Sequence, residues 1–198
     1  NIISNENFGC IVSASGSGYT WSINSRENKL TSWSNDPVTD PLPEIIYIRD
    51  EDTGEFFCPT PSPVKSSRGY RVRHGFGYSE FEHNSNGIKQ KLTVYISGRD
   101  PVKLYILSLE NACQKDRKFS CYFFVEWVMG VTREVSAPYI VTEMDEESEV
   151  FTARNSYNKE YNNRVSFLAC SERIASYSGD KMEFIGRTGY TGRPAGIF

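Results

Sequence analysis

The residues able to do chemistry gather in two polar stretches. The first is Asn24-Ser25-Arg26-Glu27-Asn28-Lys29-Leu30-Thr31-Ser32-Trp33-Ser34-Asn35-Asp36-Pro37-Val38-Thr39-Asp40. It combines a guanidinium, amides, carboxylates and an indole. That mixture suits a saccharide, because polar forks engage hydroxyls while an aromatic ring covers the apolar C–H face. Arg26, Asn28, Trp33 and Asp36 are the candidate contacts, to a sugar or to an adjoining domain, with a well-hydrogen-bonded surface loop as the alternative. The second stretch is Asn155-Ser156-Tyr157-Asn158-Lys159-Glu160-Tyr161-Asn162-Asn163-Arg164, which reads as a long hairpin loop projecting from a sheet.

Catalytic chemistry is less well supplied. There are 2 His, at positions 74 and 83, so a zinc site or a Ser-His-Asp triad would have to use one of them. His74 sits between charged residues and a Gly-rich turn and reads as structural; His83 precedes the turn Asn84–Gly87 and is expected at the surface. No G-x-S-x-G elbow occurs. Carboxylates such as Glu27 and Asp36 are present, but nothing in the sequence sets a glycosidase separation. The acidic run Asp145–Glu149 lacks the alternating oxygen ligands and the Gly of a calcium loop. The 5 Cys are odd in number and form no C-x-x-C, so neither a disulfide framework nor a zinc site is expected. Cys121 and Cys170 lie in apolar runs and read as buried thiols, which favours a reducing compartment, the cytoplasm. No catalytic residue, metal site or cofactor is expected in the chain.

The elements that must position these stretches are strands. Period-two runs bounded by turn residues recur along the chain, and no sustained helical stripe appears. Examples are Phe8–Ser13, Tyr19–Ile23, the hairpin of Ile45–Ile48 with Glu55–Cys58, and the hairpin of Gly77–Glu82 with Ile88–Ile96. Val102–Leu109, Pro138–Met144, Glu149–Arg154 and Val165–Cys170 follow. The run Phe119–Val128 is apolar on both faces, which implies cover from a second sheet and from something else. About a dozen strands without intervening helices predict an all-β fold, a large two-sheet antiparallel sandwich formed as one domain over residues 1–198. The Gly-rich segment Gly186–Gly196 is unpatterned and is expected to lie against a part outside this sequence.

Composition excludes other classes. The chain has 198 residues, 38% of them hydrophobic and 24% charged, which is ordinary for a globular domain. Its net charge of −3 carries no basic stripe, so nucleic acid is not an expected partner. No apolar run reaches the roughly 18 residues of a membrane helix, and no signal peptide is visible at Asn1-Ile2-Ile3-Ser4.

One resemblance is carried by long, ordered motifs. These are Ser15–Trp21, Asn24–Thr31 and Trp33–Val38, then Tyr47–Asp50, Tyr70–Gly75, Val125–Trp127 with Gly130–Glu134, Ala153–Asn155 with Tyr157-Asn158, and Phe184–Arg187. Over nearly its whole length the chain resembles the N-terminal sandwich of glycoside hydrolase family 94, formerly glycosyltransferase family 36. The likeness extends to the phosphorylase-like region of cyclic β-1,2-glucan synthases. The resemblance implies a galactose-mutarotase-like super-sandwich, followed by a helical linker and an (α/α)6 barrel, with residues 186–198 beginning the connection. It implies a parent reaction that uses inorganic phosphate or a sugar phosphate, with the catalytic Asp in the barrel. It further implies a non-catalytic role here: completing the cleft for a β-glucan oligosaccharide, β-1,2-linked, packing on the barrel and supporting a homodimer. A loop matching Asn155 to Arg164 would reach the rim of the active site, so Asn155, Tyr157, Asn158, Tyr161 and Arg164 become rim candidates. A parent protein attached to a membrane would hold this region on the cytoplasmic side. The alternatives are a stand-alone lectin-like module and a mutarotase-like epimerase.

Overall fold

A computed structural model describes residues 1–36 and 38–198. Its strands are β1 (Ile2–Ser4), β2 (Phe8–Val12), β3 (Gly18–Ser22), β4 (Lys29–Thr31), β5 (Glu44–Asp50), β6 (Phe56–Phe57), β7 (Tyr70–Gly75) and β8 (Tyr78–Ser85). They continue as β9 (Ile88–Ile96), β10 (Lys103–Asn111), β11 (Phe119–Val125), β12 (Trp127–Gly130), β13 (Ile140–Asp145), β14 (Val150–Asn155) and β15 (Val165–Leu168). All pairings are antiparallel, in four sheets ordered β1-β2-β3-β4-β12, β10-β9-β8-β7, β11-β5-β6 and β13-β14-β15. Two one-turn helices, α1 (Arg133–Ser136) and α2 (Lys181–Ile185), interrupt a chain in which none was expected.

The two largest sheets face each other. Alternation decides which side chains meet. On β8 and β9 every second residue is buried, including Phe81, His83 and Ser85 on one strand and Ile88, Gln90, Leu92, Val94 and Ile96 on the other. Phe81, Leu92, Val94 and Ile96 pack against Ile3, Phe8, Cys10 and Val12 of β1 and β2 to make the first core. The intervening residues form an ion-pair lattice on the outer face. Arg73 pairs with Glu80 and Glu82, Lys91 with Glu80 at 2.6 Å, and Lys89 with Glu110 at 2.6 Å. The β8–β9 turn places Asn86 and Gly87 at φ 51° and 73°, the left-handed pair that a two-residue hairpin requires.

The β5–β6–β11 sheet lies between this core and the C-terminal segment. Ile46 joins the first core, and Phe123 meets Tyr105 with ring centroids 5.2 Å apart. On the opposite face Ile45, Tyr47 and Phe124 form a second core with Leu42, Cys58, Ile185 and Ile197. Phe184 stacks on Phe124 at 5.8 Å and 9°, and the Tyr47 hydroxyl donates to the Thr191 carbonyl at 2.7 Å. The extra cover that a doubly apolar β11 required is thus the chain's own residues 184–198. Within the Gly-rich segment Gly186–Gly196 the Thr191 carbonyl is tied to β5, while most of its residues remain exposed.

Three further expectations change. The run Phe119–Val128 is two strands, divided at Glu126, whose N–H donates to Pro43 O at 2.7 Å and whose carbonyl accepts from Ser32 N–H at 3.3 Å. Those bonds take the chain off the β5 ladder and onto β4. His83 is buried, only 2% exposed, and stacks on Tyr70 at 3.8 Å, because it shares the inward parity of Phe81 and Ser85. Cys121 and Cys170 are exposed, since β11 is an edge strand and Cys170 lies beyond the end of β15; the buried thiols are Cys10 and Cys58.

Where three sheets meet, Glu44 of β5 is held by four donors. Its Oε1 accepts from Thr20 at 2.6 Å and Thr31 at 2.7 Å, and its Oε2 accepts from Lys103 Nζ at 2.6 Å and from the Tyr105 hydroxyl. Burial pushes the carboxyl up, but the Lys103 charge and these hydrogen bonds outweigh it and bring it down to about 2. Lys103 and Tyr105 are pushed up in turn: burial favours the neutral amine but Glu44 opposes it, while for the phenol burial and Glu44 act together. A void of about 20 Å³ beside them is of the order of a single water.

Candidate functional site

The first polar stretch is the β3–β4 connection and the loop after β4. Asn24 Oδ1 accepts from the N–H groups of Arg26 and Glu27 at 2.9 Å each, which turns the chain. Asn28 is buried and donates to Ser22 O at 2.9 Å, so it staples the hairpin and does not face outward. Arg26 is exposed, 3.3 Å from Glu27. Asp36 accepts from Val38 N–H at 2.9 Å and the Thr39 hydroxyl at 2.7 Å, and these groups hold its carboxyl below the usual range. Pro37, within this stretch, lies outside the described residues.

Trp33 belongs to a strip of three rings. It packs on Tyr19 at 4.9 Å, and Tyr19 packs on Trp21 at 5.3 Å. The Trp21 ring fills the volume a Cβ on Gly9 would take, with ring carbons 2.2–2.8 Å from that position, so one indole face lies against β2. The strip needs residues 12 positions apart and a Gly in the neighbouring strand, which no local motif in the sequence announces.

The second stretch joins β14 to β15. Asn155 Nδ2 and Asn158 Nδ2 both donate to Met129 O, at 3.1 and 3.0 Å, around a backbone with Met129 at φ 46°. Asn158 Oδ1 accepts from the N–H groups of Glu160 and Tyr161. Tyr157 is exposed and stacks on Tyr139 at 4.0 Å and 9°, and the Arg164 guanidinium lies 5.9 Å from the Tyr161 ring. The two amides therefore shape the loop, while Tyr157 and Arg164 are presented outward.

Strand β12 fastens both stretches. It pairs with β4 at Trp127↔Thr31 and Gly130↔Lys29, Lys29 Nζ donates to Val131 O at 2.8 Å, and Met129 holds the two amides. Among the described residues no hydrogen bond or ring contact joins Arg26, Trp33 or Asp36 to Tyr157, Tyr161 or Arg164.

Beside β12 opens a cleft of about 300 Å³, walled by Glu126, Trp127, Arg133, Ile140, Thr142 and Lys181 among others. Glu126 Oε2 accepts from Ser32 at 2.7 Å, and its Oε1 accepts from Arg133 at 3.3 Å and from Lys181. Burial pushes this carboxyl up, but Lys181, Ser32 and Arg133 outweigh it, so it stays ionised. Sequence reading missed this group because its members stand as single residues on separate elements.

Neither His is hydrogen-bonded to a carboxylate among the described residues: His74 Nδ1 meets Ser79 Oγ and His83 Nδ1 donates to Gly69 O. No cluster of three or more His, Cys, Asp or Glu among them is placed to hold a metal ion. Among the described residues no helix is long and apolar enough to cross a membrane.

Four antiparallel sheets built around a facing five- and four-stranded pair define a supersandwich. The chain belongs to the glycosyl hydrolase 94 supersandwich domain family, which it matches over residues 1–198. It is 36% identical over 190 residues to cyclic beta-(1,2)-glucan synthase NdvB of Rhizobium meliloti (strain 1021), covering 96% of this chain and 7% of that protein. It is 30% identical over 156 residues to solabiose phosphorylase of Paenibacillus borealis, covering 77% of this chain and 20% of the enzyme. It is 25% identical over 201 residues to N,N'-diacetylchitobiose phosphorylase of Vibrio furnissii, covering 94% and 24%. The chain thus spans less than a quarter of each of these relatives.

Proposed function

We propose that this domain is the non-catalytic, carbohydrate-associated part of a glucan synthase or glycoside phosphorylase acting on β-glucan, with β-1,2 linkage. The observation that carries the reading is the match over all 198 residues to a supersandwich domain, joined to the likeness to a β-1,2-glucan synthase. In this reading residues 186–198 lead to a helical linker and an (α/α)6 barrel, which supplies the acid and takes inorganic phosphate or a sugar phosphate as co-substrate. The loop bearing Tyr157, Tyr161 and Arg164 borders the glucan cleft, and the domain supports a homodimer. The buried free thiols of Cys10 and Cys58 suit a cytoplasmic setting.

The test is steady-state kinetics of the full-length protein with Tyr157→Ala, Tyr161→Ala and Arg164→Ala. The expected outcome is a raised KM for glucan by about tenfold, the loss of one to two stacking or charged contacts. Unchanged affinity and turnover in all three would remove the rim assignment. A second reading, a saccharide-binding module that acts alone, draws on the Trp33–Tyr19–Trp21 strip. Saturable binding of a β-1,2-glucan to the 198-residue chain, lost on Trp33→Ala, would favour it.

A further inference from the structure

The β13–β14–β15 sheet has one covered face and one open one. Inward, Phe151 packs on Tyr177 at 5.9 Å, and Ile140 and Thr142 line the cleft beside β12. Outward, the register sets Val141, Arg154 and Val165 in one row and Glu143, Thr152 and Phe167 in the next. Val141 is 61% exposed, Val165 47% and Phe167 50%, and none of the three belongs to either core. Large apolar side chains gathered on one small sheet face mark an interaction surface. We propose that this face is the contact between two copies of the chain, related by a two-fold axis, with Arg154 of each copy set against Glu143 of the other.

The charges choose the occupant. On the outer face of β7–β10 the charged strand residues answer one another: Arg71 and Arg73 meet Glu82, Arg73 and Lys91 meet Glu80, and Lys89 meets Glu110. On the β13–β15 face Arg154 and Glu143 are exposed diagonal neighbours, and neither makes a salt bridge among the described residues. A partner of one charge sign would match one of them and repel the other, and a wholly apolar partner would bury both unpaired. A second copy turned by a two-fold axis supplies an anion for each cation and a cation for each anion, in two equivalent pairs set among apolar residues. Size sets the strength. Strands β13 and β14 have six residues each, so the face runs about 20 Å along them and about 10 Å across the three strands. That is well short of the roughly 800 Å² per partner of a standard interface. A dimer held by this face alone is therefore expected to be of micromolar strength. The proposal rests on the homodimer of the preceding reading and gives it a surface.

Sedimentation velocity of the 198-residue chain, from about 5 to about 500 μM, is expected to show a monomer–dimer equilibrium. Phe167→Asp and Arg154→Glu are each expected to raise the dissociation constant more than about tenfold, the first by burying a lone charge and the second by setting like charges face to face. Arg154→Glu leaves two carboxylates on the face, and Glu143→Arg leaves two guanidinium groups. Each variant alone is expected to be monomeric, and an equal mixture of the two to dimerise again. A face that pairs Arg154 with Glu143 across a two-fold axis requires that recovery, and a merely damaged fold does not give it. A monomer throughout the range overturns the proposal, as does a dimer that tolerates Phe167→Asp or a mixture that stays monomeric. The full-length protein separates this surface from the reading it rests on. If it is dimeric with and without Phe167→Asp, the surface is wrong and the homodimer stands; a full-length monomer overturns both. Near-UV circular dichroism checks each fold, and all three substituted side chains are exposed in the monomer.

Discussion

Replacing Glu44 by Gln tests the account of the three-sheet junction. The substitution keeps the shape but sets an amide against Lys103 Nζ and the Tyr105 hydroxyl, and leaves the ammonium unpaired with 11% of its side chain exposed. Two routes give the magnitude. Removing one partner of a buried ion pair costs about 3–5 kcal/mol. Independently, lowering the carboxyl from 4.5 to about 2 corresponds to roughly 3 kcal/mol of stability at neutral pH. The sign follows from the direction: a carboxyl held low in the fold stabilises it fully above its unfolded value and loses that contribution as pH falls toward about 2. Urea unfolding at pH 7, followed by tryptophan fluorescence, should therefore show Glu44→Gln less stable by about 3 kcal/mol, a midpoint lowered by about 1–2 M. Repeated down to pH 2.5, the gap should shrink, because the wild type alone sheds this contribution. A deficit under about 1 kcal/mol at pH 7, or one that stays constant with pH, would refute the claim that Glu44 is folded around as a charge.

Other outcomes follow from single features. Gly9→Ala would set a methyl 2.2 Å from a Trp21 ring carbon, so thermal melts should show a loss of about 1–3 kcal/mol with a shifted tryptophan spectrum. Ile197→Ala, at a residue 2% exposed in the second core, should cost about 2–5 kcal/mol in urea unfolding, which would confirm that the C-terminal segment is part of the fold. Burial pushes the His83 imidazole down, so its contribution is present above the ordinary value of 6.5 and drains as pH falls; His83→Phe should flatten the stability profile below pH 6.5. Asn155→Ala should cost about 1 kcal/mol, since Asn158 still donates to Met129 O, and the double variant more than twice that.

The strands that sequence reading finds are those where periodicity and turn chemistry agree. Asn84–Gly87 marks the β8–β9 hairpin, and the alternation of Leu92, Val94 and Ile96 names its inner face. The same alternation places His83 inward with Phe81, and reading it by its nearness to the turn is what puts it wrongly at the surface. Glu126 is illegible because its partners Ser32, Arg133 and Lys181 lie 94, 7 and 55 positions away. The Gly-rich segment has no period because it is an irregular stretch, held by the Thr191 carbonyl and by Ile185 and Ile197 on its flanks. Of the site candidates, Asn28, Asn155 and Asn158 spend their amides on backbone carbonyls, a role that residue type alone does not separate from ligand binding.

The β4–β12 pairing has a consequence for synthesis of the chain. Lys29 and Val131, joined across it, are 102 residues apart. At roughly 5–20 residues per second, β4 leaves the ribosome about 5–20 s before its partner exists. Through that interval one of its edges is open to any other nascent strand. Its length of three residues, opened by a Lys, is the kind of edge that discourages such capture. The hairpin that carries the first polar stretch is thus built early, guarded by brevity and charge, and closed only when β12 arrives.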